Sequence, residues 1–329
     1  MRFGRRAVTT AIALSLVCAP SIAAPQEALP QVPQVPEAPQ APKTTFRSAV
    51  DVVSVAAIVR DKRGRFTTGL KKEDFVVEEG TARRDILQFH ADLNAPVRVA
   101  LLFDVSGSMR LAGRIEEARQ AARHVLGALR LGGTEDEAAV FSFDMNLQSL
   151  QPFTVDAGAI ESALARVTPY GQTSLYDAIA QTARRVADTR PGDPHRRAVV
   201  VFTDGVDTSS ELTPEKVSAI ASEIDVPVYV VTVVSSSDHE DHGARSGAAP
   251  ESTLRTLAQW TGGDLFVTSA PAHESVAARQ IVDELRHQYV MSFSASPAEG
   301  WHPLSVKTRD RDLTVRARRG YAAGIRAGS

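Results

Sequence analysis

The 329-residue sequence has a single cysteine, Cys18, and it lies within the first 24 residues. Once that stretch is removed no thiol remains, which excludes a disulfide, a cysteine nucleophile, a zinc–thiolate centre and an iron–sulfur cluster. Net charge is scarce as well. The 37 basic and 39 acidic residues leave −2, and without residues 1–24, which hold three arginines and no acid, 34 against 39 leave −5. That balance excludes phosphate neutralisation, and so nucleic-acid binding, as the main task. Long apolar runs are also missing: the stretch from about Ala7 to Ala19 falls short of the roughly 20 residues that a membrane-spanning helix needs. No membrane span is therefore expected in the mature chain.

What stands at the start is a leader. Arg2, Arg5 and Arg6 precede the apolar run, and Ser21, Ala23 and Ala24 offer small residues for cleavage, so residues 1–24 read as a secretory signal peptide. The chain is expected to be exported, either periplasmic or secreted. Ser15, Leu16 and Val17 make a poor lipidation motif ahead of Cys18. Residues 25–44 alternate proline with Gln, Val, Ala and Glu, the composition of a semi-rigid linker. About 285 residues follow, enough for one α/β domain and a small companion.

The chain is organised around Val97 to Arg110, VRVALLFDVSGSMR. Six of the seven residues before Asp104 are apolar without alternation, the pattern of a strand covered by helices on both faces. The loop that follows therefore opens at the carboxyl edge of a sheet, where open α/β sheets bind ligands. Asp104, Ser106 and Ser108 place one carboxylate and two hydroxyls on it, with Gly107 permitting a tight turn. Such hard oxygens suit a hard cation such as Mg²⁺. Alone, the string is also an ordinary turn or N-cap sequence. Two later features add to it: Thr173 in YGQTSLYDAI, and Asp204 in AVVVFTDG, the second again an apolar strand running into an acid.

Periodicity orders the rest of a central domain over residues 95–287. Helices are predicted for Ala112–Arg130, Asp156–Val167, Ser174–Thr189, Pro214–Glu223, Pro250–Trp260 and His273–His287. Strands are predicted for Glu137–Phe143, Leu147–Thr154, Arg197–Thr203, Val226–Val234 and Asp264–Thr268. Only Asp144, Met145 and Asn146 separate the first two of these strands, too few for a parallel crossover, so Leu147–Thr154 should be an antiparallel edge. The result is a doubly wound, mostly parallel α/β sheet. On either side, residues 45–94 and 288–323 each read as three strands. VDVVSVAAIVRD, EDFVVEEG and ARRDILQFHAD come before the domain; HQYVMSFSAS, HPLSVKTRD and LTVRARRGY come after it. Neither set makes a sandwich alone, so the two are expected to pair into one across the inserted domain.

In these contexts Asp104, Ser106, Ser108, Thr173 and Asp204 resemble the metal-ion-dependent adhesion site, or MIDAS, of von Willebrand factor type A (VWA) domains, the fold shared with integrin inserted domains. The wider layout resembles bacterial secreted VWA-related proteins, through GLKKEDFVVEEG, LAQWTGGDLF, LRHQYVMSF and RRGYAA. The resemblance implies a Rossmann-like domain binding Mg²⁺, or Mn²⁺ or Ca²⁺ in its place. Ser106 and Ser108 would coordinate it directly and Thr173 in one state, while Asp104 and Asp204 act largely through water. The sixth ligand would be an exposed Asp or Glu of a partner protein. A protein-binding or adhesion module is the implied function, with an envelope assembly factor or chaperone using the same site as the alternative. A metal-dependent hydrolase would need a general base beside the metal. His124 falls within a helix and His195 ahead of a strand at the opposite edge, so no enzyme is expected. Asp144 and Asp207 are read as rim residues, Tyr176 and Asp177 as the first turn of a helix, and the His- and Asp-rich insertion Ser235–Glu251 as a solvated loop.

Overall fold

The computed structural model describes residues 52–133, 135–188, 193–223, 225–233, 251–268 and 271–323. The predicted signal peptide, the linker and residues 235–250 of the insertion lie outside the described residues. No described helix is long and apolar enough to cross a membrane.

The central sheet has six strands: β5 (Val97–Asp104), β6 (Glu137–Phe143), β7 (Leu147–Thr154), β8 (Arg196–Thr203), β9 (Val228–Val233) and β10 (Leu265–Thr268). Their order is β10-β9-β8-β5-β6-β7. All neighbours are parallel except β7, which runs antiparallel along the edge of β6, as its short connection requires. Alternate side chains of β5 go to opposite faces. Val97, Val99, Leu101 and Phe103 pack with α1 (Arg114–Ala128), α2 (Ala157–Arg166) and α6 (Pro271–Arg286), whereas Ala100 and Leu102 pack with α3 (Leu175–Ala187), α4 (Pro214–Glu223) and α5 (Glu251–Trp260). The chain leaves β5 for β6 on one side and later returns to β8 on the other. The β5/β8 boundary is therefore the point where strand order reverses, and its carboxyl end is the crevice that the fold offers a ligand.

The flanking segments form two four-stranded antiparallel sheets. In the first, β1 (Val52–Arg60) lies between β11 (Gln288–Ser294) and β13 (Thr314–Ala317), and β4 (Ile86–His90) pairs with the far side of β11. In the second, β12 (Gly300–Thr308) lies between β2 (Phe75–Glu79) and β14 (Gly320–Ala323), and β3 (Ala82–Arg84) pairs with β2. Val55, Ala57, Phe75, Val77, Met291, Phe293, Leu304 and Tyr321 from both sheets share one core. Two expectations need correction. ARRDILQFHAD is two strands, β3 and β4, in different sheets, and LTVRARRGY likewise divides into β13 and β14. In the second case the chain crosses between sheets at Arg318 and Arg319. Gly320 then lies against the Trp301 ring and His302 O so closely that no Cβ fits.

Helix α6 joins the two parts. Glu284, fully buried, accepts from Arg60 Nη2 on β1 at 3.0 Å and pairs with Arg316 on β13, while Arg316 Nη1 also reaches Asp264 Oδ2 at 2.7 Å. At the other end of α6, Glu274 is buried against α1 with one carboxylate oxygen lacking a hydrogen-bond partner among the described residues. Burial, then the charge of Glu117, pushes its pKa from the ordinary 4.5 to about 7. Since the unfolded chain releases this proton near pH 4.5 and the folded chain holds it to about 7, the stability it contributes is present below pH 4.5 and lost as pH climbs to 7. Glu274→Gln should therefore melt higher than the parent at pH 8, by about 1–3 kcal/mol, and no higher at pH 4.5. Thermal denaturation at the two pH values measures this.

Candidate metal centre

Three loops meet at the carboxyl edge of β5 and β8. Asp104 ends β5 with no exposed surface, and its two carboxylate oxygens accept from Ser106 N at 2.8 Å and Thr203 Oγ1 at 2.6 Å. Ser106 is buried and Ser108 half-buried, and their hydroxyl oxygens lie 3.0 Å apart. A 3-10 turn, Gly107–Gly113, continues to Gly113, whose positive φ of 75° lets the chain reverse into α1. The second loop carries Thr173, 2% exposed, just ahead of α3. The third follows β8 and carries Asp204, 8% exposed.

Backbone bonds lock the loops together. Gly107 N donates to Gly171 O at 3.0 Å, Tyr170 N donates to Val105 O, and Thr208 N and Ser209 N donate to Thr173 O at 2.9 and 3.0 Å. All five residues singled out in the sequence thus stand on loops tied to one another. Asp207 proves to be a cap: its Oδ1 accepts Leu175 N at 2.8 Å and Ser210 Oγ at 2.6 Å. Tyr176 and Asp177 occupy the first turn of α3, where Asp177 accepts from Glu211 N and Leu212 N of the third loop. Asp144 faces the second loop, its Cβ 3.2 Å from where a Cβ on Gly171 would lie. The histidines stand elsewhere. His124 is inside α1, and His195, at the amino edge ahead of β8, contacts Asp193 Oδ1 through Nδ1 at 2.5 Å.

Sequence reasoning missed Arg114. It is 4% exposed, and its Nη1 donates to Ser108 O and to Asp204 Oδ2, both at 3.0 Å. The available signal was electrostatic. Arg114 opens a helix, at the end where the macrodipole disfavours a cation, so it needs an acid nearby to explain it.

The two carboxylates consequently differ. Asp204 has a guanidinium partner, whereas the donors to Asp104 among the described residues, Ser106 N and Thr203 Oγ1, are neutral. Burial first, and the Asp204 charge among the other causes, raises the Asp104 pKa from the ordinary 3.8 to about 7. A buried carboxylate in that condition is stabilised by a nearby positive charge. Beside it lie two hydroxyl oxygens bonded to each other, with lone pairs to spare for a cation. The donor set fits a hard, oxygen-seeking divalent ion.

Residues 99–206 match the family model described as von Willebrand factor type A domain. The chain contains a VWA domain. Among curated proteins, the thrombospondin-related anonymous protein of Plasmodium falciparum is 29% identical over 124 residues, covering 35% of this chain and 22% of that protein, so the matched stretch spans about a fifth of the relative's length. Among solved structures, a von Willebrand factor type A protein from Catenulispora acidiphila is 14% identical and aligns over 85% of this chain and 76% of its own, with a TM-score of 0.47. Proximal thread matrix protein 1 of the mussel byssus, with a zinc-occupied MIDAS motif, is 18% identical over 63% of this chain and 49% of that one, at a TM-score of 0.47. BatB from Bacteroides thetaiotaomicron is 20% identical over 57% of this VWA-containing chain and 98% of its own, at 0.46.

Proposed function

We propose that the VWA domain holds a divalent cation, Mg²⁺ or in its place Mn²⁺ or Ca²⁺, and through it binds an acidic side chain of a partner protein. Ser106 and Ser108 are the direct ligands in this reading, Thr173 joins them in one state, and Asp104 and Asp204 act largely through water. The observation that carries it is the donor set at the strand-order reversal: a buried Asp104 carboxylate that accepts from Ser106 N and Thr203 Oγ1, beside the Ser106 and Ser108 hydroxyls 3.0 Å apart. When bound, the cation supplies an electrophilic centre with exchangeable positions, because few carboxylates neutralise it. Arg114 fixes Asp204 and the Ser108 carbonyl relative to one another, which keeps the hydroxyls in place.

Binding rather than turnover is the proposed task, since neither His124 nor His195 stands at this edge to serve as a base. The rest of the reading is that residues 1–24 direct export to the periplasm or beyond, that residues 25–44 are a spacer, and that residues 95–287 are the functional module. The mature chain, immobilised and exposed to envelope and extracellular extracts, should retain a partner in Mg²⁺ and release it with chelator. The Ser106→Ala/Ser108→Ala variant should retain none. The same partners in all three conditions would sink the metal-bridged reading.

A further inference from the structure

A cavity of about 880 Å³ lies at the amino edge of the central sheet, opposite the metal centre, against the outer face of the first sandwich sheet. Its floor is Ser54 and Ala56 of β1 with Gln288, Val290 and Ser292 of β11, the residues that alternate with the sandwich core. Its roof is residues 193–197, leading into β8, with Ala95, Asp225 and Pro227 beside them. The volume falls within the roughly 300–1,000 Å³ of small-molecule sites.

The walls carry more positive charge than the protein itself matches. Arg318, at the crossing between the two sandwich sheets, is 3% exposed. Its Nη2 donates to Ser54 O, its Nε stands 3.5 Å from Asp225 Oδ1 without a hydrogen bond, and its Nη1 has no acceptor among the described residues. Arg196 lines the same cavity with a buried Nε that also lacks an acceptor among the described residues. Asp225 acts on both guanidinium groups, so the two share one acid; burial nevertheless pulls both below their ordinary pKa, the mark of a cation short of solvent and partners. Asp193 is already met by Arg98 at 3.3 Å and by His195. Arg196, Arg197 and Arg318 therefore face Asp92 and Asp225, an excess of one positive charge along the walls. A buried charge left short of a partner is costly, and an anion that enters offsets that cost. One unit of excess suits a carboxylate, whereas a phosphate ester, at about −1.5 to −2, overshoots it. Val52, 55% exposed, together with Val290, Pro194 and Pro227 supplies apolar wall for the rest of a ligand. We propose that this cavity binds a small organic acid, its carboxylate set against Arg318 and Arg196 and its apolar body along Val52, Val290 and Pro194. The site is separate from the metal centre and works without it.

The test is calorimetric titration of the mature chain, in chelator, with octanoate and with phenylpropionate. Both acids should bind, octanoate at least tenfold tighter than octanol, which lacks the charge, or acetate, which lacks the body, and no weaker than octyl phosphate. The Ser106→Ala/Ser108→Ala variant should bind them as the parent does. Arg318 also holds Ser54 O, so the decisive substitution is at Arg196, whose side chain has no hydrogen bond among the described residues. Arg196→Gln should weaken octanoate at least tenfold with circular dichroism unchanged, and Ala56→Phe, which fills the floor, should abolish binding. Failure of both acids to bind, or full affinity in Arg196→Gln, would overturn the proposal. Binding that appears only with Mg²⁺ and is lost in the double serine variant would assign the carboxylate to the metal centre, overturning the cavity while supporting the metal-bridged reading. Tighter binding of octyl phosphate than of octanoate would overturn the choice of a carboxylate.

Discussion

Glu284→Ala is expected to destabilise the chain by about 3 kcal/mol, at the lower end of what removing one partner of a buried ion pair costs. The carboxylate is fully buried between Arg60 and Arg316, whose side chains remain 28% and 24% exposed. Both guanidinium groups can therefore turn partly toward water when the acid is lost, and Arg316 keeps Asp264. That is why the cost stays at the lower end. Glu284→Gln preserves volume and an acceptor for Arg60 but not the charge, so it should lose less than the alanine variant. Urea denaturation gives both values as shifts in midpoint at unchanged slope. A loss under about 1 kcal/mol for alanine would mean that the network adds nothing beyond its packing.

The second expected result has opposite signs in two buffers. With Mg²⁺ at a hundred times its dissociation constant, the parent should gain about 2.7 kcal/mol over chelator, and Asp104→Asn should gain nothing. In chelator above pH 7 the variant should be the more stable, by about 1–2 kcal/mol after allowing for the hydrogen bonds that an amide cannot reproduce. Burial raises the Asp104 pKa to about 7 in the metal-free chain, from 3.8. Its contribution to stability is thus present below pH 3.8 and lost as pH rises through 7, and a neutral amide avoids that loss. Near pH 4 the advantage should disappear. Differential scanning at both pH values, with and without metal, reads all of it. A variant that is weaker in chelator as well would show Asp104 to be a structural residue first.

Much of this was legible because it is local. The unbroken apolar run from Val97 to Phe103 specifies a doubly covered strand, and the three residues after Phe143 are too few for anything but a hairpin. The acids and hydroxyls at strand ends inherit their position from those runs. What could not be read depends on distance along the chain or on a change of direction that leaves the apolar pattern intact. Arg60 and Glu284 are ordinary charges in their own segments, and only a fold that brings β1 beneath α6 makes them partners. The sheet crossings at Asp85 and at Arg318–Arg319 carry no proline or loop signal; Gly320, hemmed in by Trp301, marks the second crossing only once the strands are in place. Arg114 belongs to the same class, an arginine in a helical pattern that reads as solvent-facing until Asp204 appears beside it.

The placement of β1 also sets a timetable. Its two neighbours are β11 and β13, so a chain emerging from the ribosome exposes Val52–Arg60 with one edge open until Ser294 and the other until Ala317 has been made. At about 5–20 residues per second that wait is on the order of 10–50 s. The central sheet can assemble during this interval, since its strands are contiguous in the chain. The sandwich is obliged to be the last part to close, and the open edges of β1 are the surface that any holding factor would find first.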